Sequence, residues 1–206
     1  MAEAPDTVIE ASPEEAQAIR QTIRRADHVA TPYGAYRPTS HADADALLAL
    51  LADERVGAPL YTIPKKVTQG WVEGWIAAHE DERRRGEGLL LLARNAAGEA
   101  TAFIDLQVWP ERASAEFGGA VRADLQSASL GRGGAAALFD WLFRDIGVRL
   151  LAMTNALDNV RTEKLLRGLG YKRLADRICM TAEGRERPSM YWELRREDWR
   201  SPFQDR

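Results

Sequence analysis

Apolar residues return along this chain in two rhythms. Up to about residue 85 they fall mostly three or four positions apart, the spacing that gathers one face of a helix. Ser12, Pro13 and Glu15 make a helix start with proline at the first helical position, and Ala16, Ile19 and Ile23 follow as a thin apolar stripe. A stripe that thin docks on the domain or on a partner subunit, so residues 1–27 are expected as a helical extension, with a homodimer as one outcome, and residues 28–206 as one domain. A first strand is expected near Tyr33 to Arg37, then a helix over Ala42 to Asp53 capped by Ser40. A second helix, from Thr68 to about Arg84, aligns Trp71, Trp75 and His79 at i, i+4 spacing.

The rhythm then shortens. Three apolar, strand-like runs cover roughly 88–94, 100–109 and 114–126, parted by turn material at Asn95 to Glu99 and at Pro110 to Ala113. Connections this short predict antiparallel hairpins. Beyond them the pattern predicts a helix over about 133–146, a strand over 148–155, a helix over 160–168, and strands near 171–181 and 188–195. The pair Gly118 and Gly119 interrupts the last of these three runs, the fourth strand of the chain, and predicts a bulge, with simple close packing as the other reading.

Composition narrows the class. With 206 residues, 45% hydrophobic and 29% charged, the chain reads as an ordinary globular protein. A net charge of −3 supplies no overall basic field, so neither nucleic acid nor an anionic membrane is an expected partner. The single cysteine, Cys179, excludes an internal disulfide, and the three histidines show no ligand spacing, so no metal is expected. The acidic N-terminus lacks the order of a signal peptide and no apolar run approaches membrane-spanning length, so a cytoplasmic location is expected.

Candidate chemistry concentrates in "LQSASLGRGGAAALFDWLF", residues 125–143. Gly131, Gly133 and Gly134 crowd the entrance of a helix, where unpaired N–H groups and the positive end of the dipole attract anions and glycines let a phosphate reach the main chain. No G-x-x-x-x-G-K-[ST] string occurs, which excludes a nucleotide P-loop. Gly131, Gly133 and Ala136 fit G-x-G-x-x-A, but the stretch follows three antiparallel strands, and the next strand ends in Thr154 and Asn155 where a dinucleotide site needs an acid. The pyrophosphate of coenzyme A is the third candidate; a turn tightened for helix packing is the structural alternative.

The second half of the chain resembles the GNAT N-acetyltransferase superfamily, in the branch that includes the ribosomal-protein alanine acetyltransferases. "ASLGRG" is similar to its [Q/R]-x-x-G-x-[G/A] motif, with Gly131 and Gly133 in place and Ala128 departing from the usual Gln or Arg. "DNVRTEKLLRGLGYKR" is similar to its later element through Asn159, Thr162, Gly170 and Tyr171, and "SMYWELRREDW" to its closing strand. The resemblance implies an α/β fold with a mixed, mostly antiparallel central sheet flanked by helices. It also implies acetyl-CoA as cofactor, held by Ser129, Leu130, Gly131, Arg132, Gly133 and Gly134 at the pyrophosphate. The pantetheine arm would lie along the fourth strand, where Val121, Ala123 and Leu125 alternate, and against Asn159, which a helix cap alone would equally justify.

Direct acyl transfer needs an uncharged amine, a donor to the thioester oxyanion and a proton for the thiolate. The resemblance implies Glu116 as base, unless it is an exposed edge carboxylate, with Asp105 and Asp124 as rivals and the Val121 N–H as oxyanion donor. The family's tyrosine acid falls at Leu166 and is missing; Tyr171, Tyr191 and Cys179 are nearby in sequence, with nothing to select among them. The expected function is transfer of the acetyl group of acetyl-CoA to a primary amine of a small molecule or a protein N-terminus. The competing class is a noncatalytic acyl-CoA-binding module. Arg83 to Arg85 suit a solvated helix end, and Trp71, Trp75 and Trp141 are expected in the core.

Overall fold

The computed structural model describes residues 4–31, 34–126 and 128–203, with 128–131 described by their backbone alone. Helix α1 (Pro13–Arg25) begins where the Ser12 hydroxyl accepts the Glu15 N–H at 3.2 Å, and it buries Ala16, Ile19 and Ile23 in the core of its own chain. Strands β1 (Val29–Thr31) and β2 (Gly34–Pro38) form a hairpin; Tyr33, the expected strand start, lies outside the described residues. Helices α2 (Ala44–Ala52), α3 (Glu54–Gly57) and α4 (Gln69–Arg85) follow. The last ends at Gly86, where φ is +79° and a Cβ would sit 2.7 Å from the Arg20 backbone, so the turn and the close approach of α1 both require glycine.

Strands β3 (Gly88–Arg94), β4 (Ala100–Trp109) and β5 (Ser114–Val121) are antiparallel neighbours. The leucine run of β3 is buried on both sides: Leu89 and Leu91 enter a core with α1, Leu90 and Leu92 a second core with α2 and α4. Helix α5 (Ala128–Asp140) continues through a π-helical turn over Trp141–Ile146 into β6 (Leu150–Ala156), then α6 (Val160–Gly168), β7 (Lys172–Met180) and β8 (Glu186–Arg195). The sheet order is β1-β2-β3-β4-β5-β6-β8-β7, antiparallel except for the parallel pair β5–β6. A mixed, mostly antiparallel sheet flanked by helices is therefore the observed architecture.

Three expectations are corrected. β5 stops at Val121, because Ala123–Leu125 form a 3-10 turn: the Leu125 N–H returns to the Arg122 carbonyl at 2.9 Å, and the Arg122 guanidinium grips Asp124 at 2.7 Å. Ala123 and Leu125 thus do not continue the alternation of Val121. No bulge occurs at Gly118 and Gly119; their pairing with Asp105 and Ile104 stays in register, and a Cβ on Gly119 would lie 2.3 Å from the Phe103 carbonyl, so glycine there permits close strand approach. Helix α5 opens at Ala128, ahead of the expected residue 133, which places Gly131, Gly133 and Gly134 inside the helix and not in a loop before it.

Two polar clusters fasten the ends. Asp43 is buried and accepts from Arg37, Arg94 and the Ser40 N–H at 2.6, 2.6 and 2.8 Å. The N-terminal segment crosses β8: the Asp6 N–H donates to the Tyr191 hydroxyl and the Thr7 N–H to Glu193, both at 3.0 Å, while Asp6 pairs with Arg177.

Candidate active site

β5 and β6 pair only from Ser114 to Glu116 against Leu150 to Ala152. Beyond that, β5 stays with β4 as far as Val121 and β6 stays with β8 as far as Ala156, so the two strands part into a V with Glu116 at its apex. The Arg122 N–H donates to the Thr101 carbonyl on β4 at 2.8 Å. Alternation along the strand therefore turns the N–H groups of Val121 and Gly119 the other way, into the V. The Gln126 amide donates to the Val121 carbonyl at 2.9 Å from that same side.

Register sorts the side chains. Phe117 packs on Phe139 of α5, centroids 5.6 Å apart, so Glu116, Gly118 and Ala120 face the α2/α4 side. There the Thr154 hydroxyl, on β6, donates to Glu116 Oε1 at 3.3 Å and lies 2.7 Å from the Tyr61 hydroxyl. Tyr61 arrives on the loop between α3 and α4 and is held by the Arg187 guanidinium, 3.6 Å from its ring centroid, and by the Ala182 N–H donating to its carbonyl at 2.8 Å. Burial is the main cause that pushes the Tyr61 phenol up from its ordinary value. A Cβ on Gly118 would meet nothing within 4 Å, so the sheet is open beside Glu116.

Asp105, one of the rival bases, sits across from Gly118 and is engaged by His79 Nε2 at 2.9 Å. His79 Nδ1 lies 3.0 Å from the Trp75 carbonyl, which can only accept, so Nδ1 carries a proton. Burial pulls the imidazole pKa down, but the Asp105 hydrogen bond and charge and the Trp75 carbonyl together outweigh it and leave it raised. Glu82, whose Oε2 is buried without a hydrogen-bond partner among the described residues, is pushed up chiefly by burial. The other rival, Asp124, is exposed, and its pairing with Arg122 holds its pKa low.

At the helix entrance, the side chains of Ser129 and Leu130 lie outside the described residues, and Gly131 is described by its backbone alone. The first-turn N–H groups of α5, from Ala128 to Leu130, are those without intrahelical acceptors, whereas Gly133 and Gly134 sit a turn further in. Arg132 donates to the Gly168 carbonyl at 3.1 Å, tying α5 to the end of α6. Asn159 caps α6, its side chain accepting the Thr162 N–H at 3.0 Å. Of the acid candidates, Tyr191 donates to Glu193 at 2.5 Å; Tyr171 is buried with its hydroxyl unpartnered among the described residues, and burial, then the Glu116 charge, raises its pKa well above normal. Cys179 is a half-buried free thiol. Trp71 and Trp75 stack at 5.1 Å against the α2/α4 core, and Trp141 packs on the α1 core, as expected.

Sequence reasoning missed Thr154, Tyr61 and the His79–Asp105 pair. Tyr61 sits in a loop with no periodicity to mark it, and Thr154 lies within β6, whose neighbours only the sheet order reveals. His79 did align with Trp75 on α4, but its partner lies 26 residues away on β4.

The profile of the acetyltransferase (GNAT) domain matches residues 35–172. Among solved structures, Mycobacterium smegmatis RimJ in complex with CoA-disulfide superposes with a TM-score of 0.69 at 17% identity, covering 84% of this chain and 87% of that one. The ribosomal-protein-S5-alanine acetyltransferase from Vibrio fischeri gives a TM-score of 0.69 at 12% identity, covering 84% of this chain and 98% of that one. The ribosomal-protein-alanine N-acetyltransferase from Brucella melitensis gives 0.60 at 20%, covering 78% and 98%. A search of curated proteins finds no match. A parted β5–β6 pair, a helix opening on the glycine-bearing stretch after β5, and a domain profile spanning both together show that the chain belongs to the GNAT acetyltransferase family.

Proposed function

We propose that the protein transfers the acetyl group of acetyl-CoA to a primary amine, with a protein N-terminus or a small molecule as acceptor. The observation that carries this reading is the V between β5 and β6, whose apex holds a carboxylate and whose β5 wall presents main-chain N–H groups. The residues fit coenzyme A: of the two β5 N–H groups that face the V, that of Gly119 offers a strand-like bond to a pantetheine arm and that of Val121 is left for the thioester oxygen, while the first turn of α5 offers donors and a positive dipole to a pyrophosphate. Bound there, the cofactor would supply an activated acetyl thioester.

In this reading Glu116 takes the proton of the attacking amine, directly or through one water, and the Val121 N–H donates to the developing oxyanion. Gly118 leaves room for the acceptor between Glu116 and Asp105. Similarity to RimJ and to the alanine acetyltransferases favours a protein N-terminus as the acceptor.

Thiol release from acetyl-CoA tests this, with hexapeptides beginning in alanine or serine and a panel of small amines as acceptors. Turnover is expected with at least one acceptor class. Glu116→Gln should lower kcat near neutral pH by about 10²–10⁴-fold, with part of the rate returning at high pH and coenzyme A affinity near that of the parent. Tight coenzyme A binding with no turnover on any amine would make the protein a binding module; a parental pH–rate profile for Glu116→Gln would remove the base assignment.

A further inference from the structure

The carboxylate at the apex of the V is one end of a directed hydrogen-bond chain. An ionised carboxylate only accepts, so at 3.3 Å the Thr154 hydroxyl gives its single proton to Glu116. Having spent that proton, the Thr154 oxygen can only accept at its other contact, so the Tyr61 hydroxyl is the donor across 2.7 Å. Tyr61 cannot swing freely to make this bond. Its ring lies under Arg187 at 3.6 Å, and its backbone is fastened to Ala182 on the β7–β8 hairpin. The loop between α3 and α4, the hairpin and β6 are thereby locked together over a group on β5, across the point where β5 and β6 cease to pair.

We propose that Thr154 and Tyr61 are positioning residues for Glu116, aiming its carboxylate at the mouth of the V and favouring its ionised, proton-accepting form. The proposal rests on Glu116 being the base. Thr154 stands two residues beyond Ala152, the last β6 residue paired with β5, so its hydroxyl bridges strands that no longer share backbone bonds. Other titratable or charged groups near the chain are Tyr171 from the turn after α6, Asp105 across from Gly118, Arg187 and Cys179 on the β7–β8 hairpin, and Tyr191 and Glu193 on β8. All of them persist when only the Thr154 or Tyr61 hydroxyl is removed, so a change in Glu116 titration reports the lost donor.

Two measurements test the assignment. The first is titration of the protein labelled with 13C at glutamate carboxyls, the Glu116 resonance being identified by its loss in Glu116→Gln; this needs no acceptor. Thr154→Val should move the Glu116 midpoint to higher pH, Tyr61→Phe should move it less in the same direction, and Thr154→Ser should restore it. The second is the pH–rate profile with acetyl-CoA and whichever peptide or amine turns over. Thr154→Val should cost about 10- to 100-fold in kcat near neutral pH. Its acid limb should shift upward, with coenzyme A affinity unchanged. Tyr61→Phe should cost about 3- to 10-fold. A folded Thr154→Val protein with a parental Glu116 midpoint overturns the positioning role. If that midpoint does move while Glu116→Gln keeps a parental rate profile, the base reading fails and the proposal falls with it. If Glu116→Gln collapses while Thr154→Val keeps the parental profile, only the positioning role falls.

Discussion

At Asp43, burial alone would push the carboxyl pKa up, but hydrogen bonds from Arg37, Ser40 and Arg94 more than reverse it and hold the group well below the usual carboxylate range. A carboxyl held low in the native state favours folding above its unfolded value of about 3.9, and that contribution disappears as pH falls toward the native value. Urea unfolding across pH should therefore show the parent losing stability from about pH 5 downward, with Asp43→Asn flatter over the same range. At pH 7 the variant should be weaker by the lower part of about 3–5 kcal/mol, because water screens the half-exposed Arg37. Equal slopes for the two proteins would refute the assignment. The partners of this residue also mark the reach of sequence reading. The Ser40 cap was legible from local chemistry, whereas Arg94 lies 51 residues away and nothing local joins it to Asp43. Glu116 itself was legible, but its contact with Thr154, 38 residues away, was hidden for the same reason.

Gly118 and Gly119 carry the comparison to the level of one strand. They look alike in sequence, where a bulge and close packing are both open, yet in an unbroken register they face opposite sides of β5, and close packing holds at Gly119 alone. Gly119→Ala would thrust a methyl to 2.3 Å from the Phe103 carbonyl, so β4 and β5 must separate, and thermal unfolding should show a loss of about 1–3 kcal/mol. Gly118→Ala meets open space, should melt within about 0.5 kcal/mol of the parent, and should raise the KM of the acceptor by narrowing its site. Reversed stabilities would mean the strand faces are misassigned. The element sequence itself was largely legible, because helical periodicity, short turns and the β3 leucine run are local signals. Where β5 stops was not: Ala123 and Leu125 keep the alternation of a strand, and only the Arg122–Asp124 pair and the turn it braces end it. The start of α5 was obscured too, since glycine propensity argues for a loop at Gly131 to Gly134.

Across the whole molecule, the V is a seam where the sheet lacks backbone pairing between two otherwise continuous halves. Amide exchange should read it directly. Gly119 and Val121 are expected to exchange quickly in the free protein and to slow on adding coenzyme A, while Gly118 and Ala120, turned toward β4, are protected throughout. No change at Gly119 and Val121 with saturating coenzyme A would remove the strand-like mode of cofactor binding. The sheet order has a different consequence, one of time. β8 follows β7 in the chain, yet it is not at the sheet's edge but lies between β6 and β7. A ribosome that has released everything through β7 has made a strand with no neighbour to pair with and has left one edge of β6 bare. The earliest residues wait as well, since Asp6 and Thr7 find their partners at Tyr191 and Glu193, 185 and 186 positions later. Synthesis from N- to C-terminus thus leaves the closure of this half of the sheet to β8, and a chain cut short before β8 would lose an interior strand and expose two sticky edges, a product for chaperones and proteases to remove.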